Sequence, residues 1–137
     1  MTIAATTYAQ LATASEGAAV RAALGSAASI IPADTLRTFT DAQALPARPF
    51  IAYRGGSQSG NRRDGSRAQF RWWIYDDARY GYSRINALIP LMIAAYPDED
   101  ALSDLYTVFN GASDERPDAA IFQMPCRSLT FTAFTRS

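Results

Sequence analysis

From Gln69 onward the chain alternates. Phe70, Trp72 and Ile74 fall on one side of a period-two pattern and Arg71, Trp73 and Tyr75 on the other, which predicts a β-strand. After the polar turn Asp76-Asp-Ala-Arg-Tyr-Gly81 the period lengthens. Ile85, Leu88, Ile89, Met92 and Ile93 then lie at i, i+3, i+4, i+7 and i+8, one face of an α-helix. Both tryptophans and the longest apolar stripe belong to this strand–turn–helix unit, and the rest of the chain is expected to pack on it. Pro90 stands inside the helix, where it removes a backbone hydrogen bond and costs about 3 kcal/mol in a regular helix. Because the stripe continues past it, a kink is expected, with two short helices meeting there as the alternative.

The remaining elements are weaker. Met1 to Thr7 reads as a tail that orders on contact or as a frayed end. Tyr8 to Leu24 is alanine-rich and reads as one broken or two short helices, with Ser15 at an N-cap position and Gly25 as a C-terminal glycine. Its alanine face suits a lid on a sheet, with a subunit contact as the alternative. Ile30-Ile-Pro32 is a short extended piece, and Asp34 to Ala47 is irregular with Leu36 and Phe39 as anchors. Pro49-Phe-Ile-Ala-Tyr-Arg54 reads as a strand whose proline entry suits an edge position. Pro97 ends the long helix, and Asp98-Glu-Asp100 makes an acidic turn. Leu105 to Phe109 fits a helix or a strand. Its aromatic and β-branched content, followed by Asn110-Gly111, favours a strand closed by a turn. After a polar connection over 112–120, the segment Cys126 to Thr135 alternates Leu129, Phe131 and Ala133 against Ser128, Thr130 and Thr132, a half-buried strand. No repeat is present. The pattern is that of a single α/β (α+β) domain over residues 1–137.

Composition narrows the chemistry. A chain of 137 residues, 48% hydrophobic and 12% aromatic, is globular. It is long enough to bury roughly two-thirds of its unfolded surface. Thirteen basic residues, all arginine, balance thirteen acidic ones, so the whole molecule has no strong pull toward nucleic acid or membrane. There is no histidine, which removes the usual general base near neutral pH, the Ser–His and Cys–His nucleophile pairs and the commonest metal ligand. Zinc-ligand spacing is absent, and no cofactor is indicated. Cys126 is the lone cysteine and reads as a small buried hydrophobe in a reducing compartment. No signal peptide or membrane span is evident, so the chain reads as a soluble intracellular domain. The carboxylate pairs Asp76-Asp77, Asp98-Glu99-Asp100 and Asp114-Glu115 fall at turns and read as solvated. Nothing in the chain resembles a catalytic site.

Gly55 to Arg67 contains no apolar residue and carries Arg62, Arg63 and Arg67 against Asp64. Set between two strands, it is expected to be a long flexible polar hairpin loop. Gly55 and Gly60 have P-loop spacing, but Asn61-Arg62 stands where Lys-Ser/Thr is needed and a strand follows in place of a helix. Arg62, Arg63 and Arg67 are the candidate partner contacts, toward a phosphate backbone or an acidic protein surface, with a solvated loop as the plain alternative. Trp73, Tyr75 and Phe134 project from the opposite face to the expected core and are candidates for a subunit interface.

Several strings in order carry a resemblance. They are Val20-Arg-Ala-Ala-Leu-Gly25, then Leu45-Pro-Ala-Arg-Pro-Phe-Ile-Ala-Tyr53, the strand Phe70 to Asp76 and the helix Gly81-Tyr-Ser-Arg-Ile-Asn-Ala-Leu88. Gly111-Ala-Ser-Asp-Glu115 with Asp118, and the closing Arg127-Ser-Leu-Thr-Phe131, complete them. In this order they resemble the tail-completion, or tail-terminator, family of long-tailed bacteriophages and related particles such as gene transfer agents. The likeness spans nearly the whole chain and rests on order and pattern. It implies a mainly antiparallel sheet with helices packed on one face. It further implies a homo-oligomeric, six-fold ring that caps the tail tube and meets the head-side connector in a particle assembled in a bacterial cytoplasm. Tail tube protein and connector or stopper would be the partners, DNA would only pass through the channel, and the family supplies no catalytic residue. A head–tail stopper of the same particles and a small ligand-binding or enzymatic α/β domain are the alternatives. Particle position separates the first, and a thermal-shift screen against nucleotides and metabolites the second.

Overall fold

The computed structural model describes residues 3–56, 59–61, 65–96 and 105–135. Six strands form one sheet: β1 (Ile30–Pro32), β2 (Phe50–Gly55), β3 (Ser59–Asn61), β4 (Gly65–Tyr75), β5 (Leu105–Ala112) and β6 (Cys126–Thr135). Their order is β1-β2-β4-β6-β5, with β3 pairing along β4. The β1–β2 pair is parallel and the other pairings are antiparallel. The helices α1 (Ile3–Ala12), α2 (Ala18–Leu24) and α3 (Ser83–Ala94) cover one face of this sheet. The fold is α+β.

Alternation along the strands builds the main core. Ile51 and Tyr53 of β2, Phe70, Trp72 and Ile74 of β4, and Leu129, Phe131 and Ala133 of β6 all meet the helices and are buried. From α3 come Ile85, Leu88 and Met92, while Ile89 and Ile93 of the expected stripe are half-buried at its margin. α3 runs through Pro90 as one helix, not as two meeting there. Pro90 is exposed, so the missing amide falls on the solvent side.

Polar groups under the helices are cross-linked in place. The Trp72 indole N–H donates to the Tyr96 hydroxyl at 2.9 Å, and that hydroxyl donates to the Thr7 carbonyl. Thr7 Oγ1 lies 2.8 Å from the Ile3 carbonyl and 2.7 Å from the Tyr53 hydroxyl. Gln10 Nε2 donates to the Ala95 carbonyl at 2.8 Å, tying α1 to the end of α3. Burial pushes the Tyr96 phenol well above its ordinary value, which keeps it a donor.

Several expectations are corrected. The first helix begins at Ile3, which is itself buried, so of the two readings of this segment 3–7 is ordered by contact and not frayed. Ser15 does not cap α2; it opens a short 3-10 turn and contacts Glu16 instead. The break between α1 and α2 has its own cause. Gly17 approaches α1 so closely that a Cβ there would lie 2.5 Å from the Gln10 carbonyl oxygen. Gly25 does end α2, at a φ of 86°.

β2 is interior, not an edge, because β1 pairs on its far side. Pro49 precedes the first paired residue, Phe50, so its missing amide takes nothing from the ladder. Asn110-Gly111 does not close a turn either. β5 continues through it with a bulge between Phe109 and Gly111, where Gly111 has a φ of 150°.

The polar stretch 55–67 is less loop than expected. Ser59, Gly60 and Asn61 pair with Arg67, Ser66 and Gly65, and the Gly56 amide donates to the Gln69 carbonyl at 2.7 Å. Backbone pairing needs no apolar side chain, so polarity alone does not forbid a strand. The acidic turn expected at 98–100 lies outside the described residues.

Candidate functional site

The second face of the sheet is the part of the molecule that the helices leave open. Its residues are the other half of each alternation. Phe50, Ala52 and Arg54 come from β2, and Arg67, Gln69, Arg71, Trp73 and Tyr75 from β4. β6 gives Ser128, Thr130, Thr132 and Phe134, and β5 gives Tyr106 and Val108.

One end of this face has a layer of its own. The irregular segments 33–45 and 117–125 bring Leu36, Leu45, Ile121 and Met124 down onto Phe50, Ala52, Tyr75 and Cys126. Phe50 and Tyr75 stack at 5.0 Å, and the Tyr75 hydroxyl donates to Asp118 Oδ2 at 2.7 Å. Tyr75 was expected on an uncovered face. Its direction is as expected, but it is 2% exposed, buried beneath the chain's own second layer. Cys126 lies in the same layer, and burial pushes its thiol up to about 12, so it stays protonated and unreactive at neutral pH.

The turn from β4 into α3 is locked below that layer. Asp76, expected to be solvated, has a fully buried side chain held by Arg84 through both Nε and Nη2, and it accepts the Asp77 amide at 2.8 Å. Hydrogen bonding to Asp76 raises the Arg84 guanidinium above its ordinary value. The Arg84 guanidinium also sits 3.6 Å from the Tyr80 ring centroid. Asp77 pairs with Arg48 at 3.3 Å. Asp76 is therefore a structural clasp. Asp114 and Glu115 are exposed, as turn carboxylates should be. Among the described residues no group of three His, Cys, Asp or Glu is placed to hold a metal ion.

At the other end of the second face no described segment forms such a layer. Trp73 marks the boundary: half-buried, it forms a wall of three grooves of about 630, 390 and 230 Å³. Arg71 lies over its ring at 5.6 Å and donates to Thr130 Oγ1 at 3.1 Å. Arg54 of β2 stands directly opposite Arg71 of β4 in the ladder. Arg67 lies on β4 opposite Phe134, exposed on this same face and in a strand, where a loop position had been expected. Arg62 and Arg63 lie outside the described residues. Phe134 stacks on Tyr106 at 5.0 Å, 15° from parallel. Trp73, Arg67 and Phe134 thus share one surface. Sequence reasoning missed Arg54, Arg71 and Tyr106 there, because only the strand register shows that they converge.

The β5 edge of the described sheet adjoins this surface. β5 is eight residues long without a charged side chain, and no described strand pairs on its outer side. Val108 and Phe109 on it are 42% and 37% exposed. The opposite edge, β1, has three residues and ends in Pro32.

The fold is a six-stranded mixed sheet with helices on one face and an irregular second layer on part of the other. No known family pattern and no curated protein matches the chain. Among solved structures, it is similar in fold to a chain of the virion of a native gene transfer agent particle. That similarity has a TM-score of 0.65 and 19% sequence identity, and it covers 98% of this chain and 95% of the other.

Proposed function

We propose that this chain is a structural protein of a phage-like particle. In this reading it forms a homo-oligomeric ring, six-fold by the family resemblance, that ends the tail tube and joins it to the head-side connector. DNA crosses the ring only in transit. The observation that carries the reading is the fold likeness to a chain of a gene transfer agent virion, which extends over nearly the whole of both chains.

Two surface features support self-assembly. A long, uncharged edge strand with exposed Val108 and Phe109 is the kind of edge that an isolated protein normally blunts with charge or proline. Trp73 and Phe134 add aromatic surface on the adjoining face, whereas Tyr75, buried within the chain, has no surface to offer a neighbour. Arg62, Arg63 and Arg67 are assigned to contact with an acidic face of an adjacent tail or neck protein.

The test is negative-stain imaging and native mass spectrometry of the purified protein, alone and mixed with tail tubes. Rings seated at tube ends are expected. Val108→Lys with Phe109→Lys should leave the subunit folded and abolish the ring. Rings found only against the portal side would assign the chain to a stopper. A monomer that never contacts a tube would overturn the proposal.

A further inference from the structure

The half of the second face that no described layer covers holds two opposed cations. Arg54 and Arg71 are directly opposed on adjacent strands, where like charges are unfavourable. Neither forms an ion pair with a carboxylate among the described residues. Arg71 is also held in place: its Nε donates to Thr130 Oγ1 and its guanidinium carbon lies over the Trp73 ring. Both arginines line the groove of about 230 Å³, whose floor runs to Gly55 and Gly56. A Cβ at Gly56 would stand 2.8 Å from the Gln69 carbonyl oxygen, so the close approach of the two backbones requires glycine at this end of the groove.

The neighbouring groove of about 390 Å³ shares Arg54 and Trp73 and continues under the second layer. It is lined by Leu36, Phe39 and Ile121, together with Asp34 and Asp118. A planar cation pair beside an apolar cleft has a defined complement. The guanidinium forks match a carboxylate in two-pronged fashion, and the cleft matches one apolar side chain a few residues away.

We infer that this double groove is a docking site for an acidic, extended segment of another protein, with its carboxylate on Arg54 and Arg71 and an apolar side chain against Leu36 and Phe39. A nucleic-acid backbone fits it poorly. Phosphates are spaced along the whole strand, and those over the second groove would face Asp34 and Asp118. Every residue of the site comes from one subunit, and Trp73 is the residue it shares with the surface assigned above to ring contact.

The full chain is titrated by two-dimensional NMR with a capped peptide, Ac-Phe-Gly-Glu-Asp-NH2, and with its uncharged analogue, Ac-Phe-Gly-Gln-Asn-NH2. A single-stranded dT12 oligonucleotide serves as the phosphate arm. The acidic peptide should bind at least about tenfold more tightly than the analogue and shift the Trp73 indole while leaving that of Trp72 in place. Arg54→Ser with Arg71→Ser should remove the difference between the peptides. Both positions are exposed, and Arg54→Gln alone, which keeps the strand polar, should remove most of it. Equal affinity for the two peptides, an unchanged preference in the variants, or tighter binding of dT12 would each overturn the inference. Ring assembly is read separately by mass.

Discussion

Trp72 and Trp73 are neighbours in one strand and live in two different molecules, so to speak. Trp72 points under the helices, fully buried, with its N–H on Tyr96 and its ring stacked with Tyr8 at 5.9 Å. Trp73 points to the other face, half-buried, with an arginine over it and grooves around it. The helix face is closed by regular elements whose apolar positions repeat. Among the described residues the second face is closed over one end, by irregular segments, and its remainder mixes arginines and hydroxyls with Trp73, Tyr106 and Phe134. One strand can thus serve a core and a surface at once, because adjacent side chains leave it in opposite directions.

The largest test of that difference is Trp72→Ala against Trp73→Ala. The first leaves a cavity and removes the N–H that the Tyr96 hydroxyl accepts, and should cost about 3–5 kcal/mol in urea unfolding. The second should cost about 1–2 kcal/mol, since part of that ring is already in water. Equal losses would mean that the second face is as much a core as the first.

Asp76→Asn comes next. It breaks the clasp beneath the second layer, but Arg84, with its side chain 36% exposed, can turn to solvent. The loss should therefore fall below that of a fully buried pair, about 2 kcal/mol by thermal or urea melts. Wild-type stability would show that Arg84 is held by Tyr80 alone.

Cys126 reports whether the second layer stays shut. Its thiol is raised from an ordinary value of 9.0 to about 12 by burial, so the folded state disfavours thiolate. The stability this confers is present below pH 9 and is lost as pH rises from 9 toward 12. At pH 8 a disulfide reagent should modify Cys126 no faster than the layer opens, and much faster in denaturant. Rapid labelling of the folded protein would mean that the layer over Tyr75 opens readily while the helix face stays closed.

How much of this was legible follows the same divide. Phe70, Trp72, Ile74, Leu129, Phe131, Ala133, Ile85, Leu88 and Met92 could be read as core because a period places them, and they are all buried. The second layer could not. Leu36, Leu45, Ile121 and Met124 sit one at a time in turns with no period, so nothing local says that they converge. For that reason Tyr75 looked exposed. Asp76 looked solvated because its partner, Arg84, belongs to the next element. At the candidate site, Trp73, Arg67 and Phe134 were marked by residue type, whereas Arg54 and Arg71 needed the register.

The smallest expected effect lies at the rim of the second layer. Phe122 and Gln123 have φ of 54° and 57°, the left-handed region, in the turn that the Asp118–Met124 bridge closes. A side chain held there costs about 1–2 kcal/mol relative to glycine's freedom. Glycine loses about 0.5–1 kcal/mol more entropy on folding, so Gln123→Gly should stabilise by a net of about 0.5 kcal/mol. The helix side offers the reverse experiment. Gly25 ends α2 at a φ of 86° with open space where a Cβ would lie, so Gly25→Ala meets no clash and should destabilise by about 1 kcal/mol through backbone strain alone. Opposite signs from the two substitutions would show that the helix face uses glycine where its backbone demands it and the second face tolerates strain. A loss of stability in Gln123→Gly would mean instead that the Gln123 side chain fastens the turn and that this rim is built as tightly as the core.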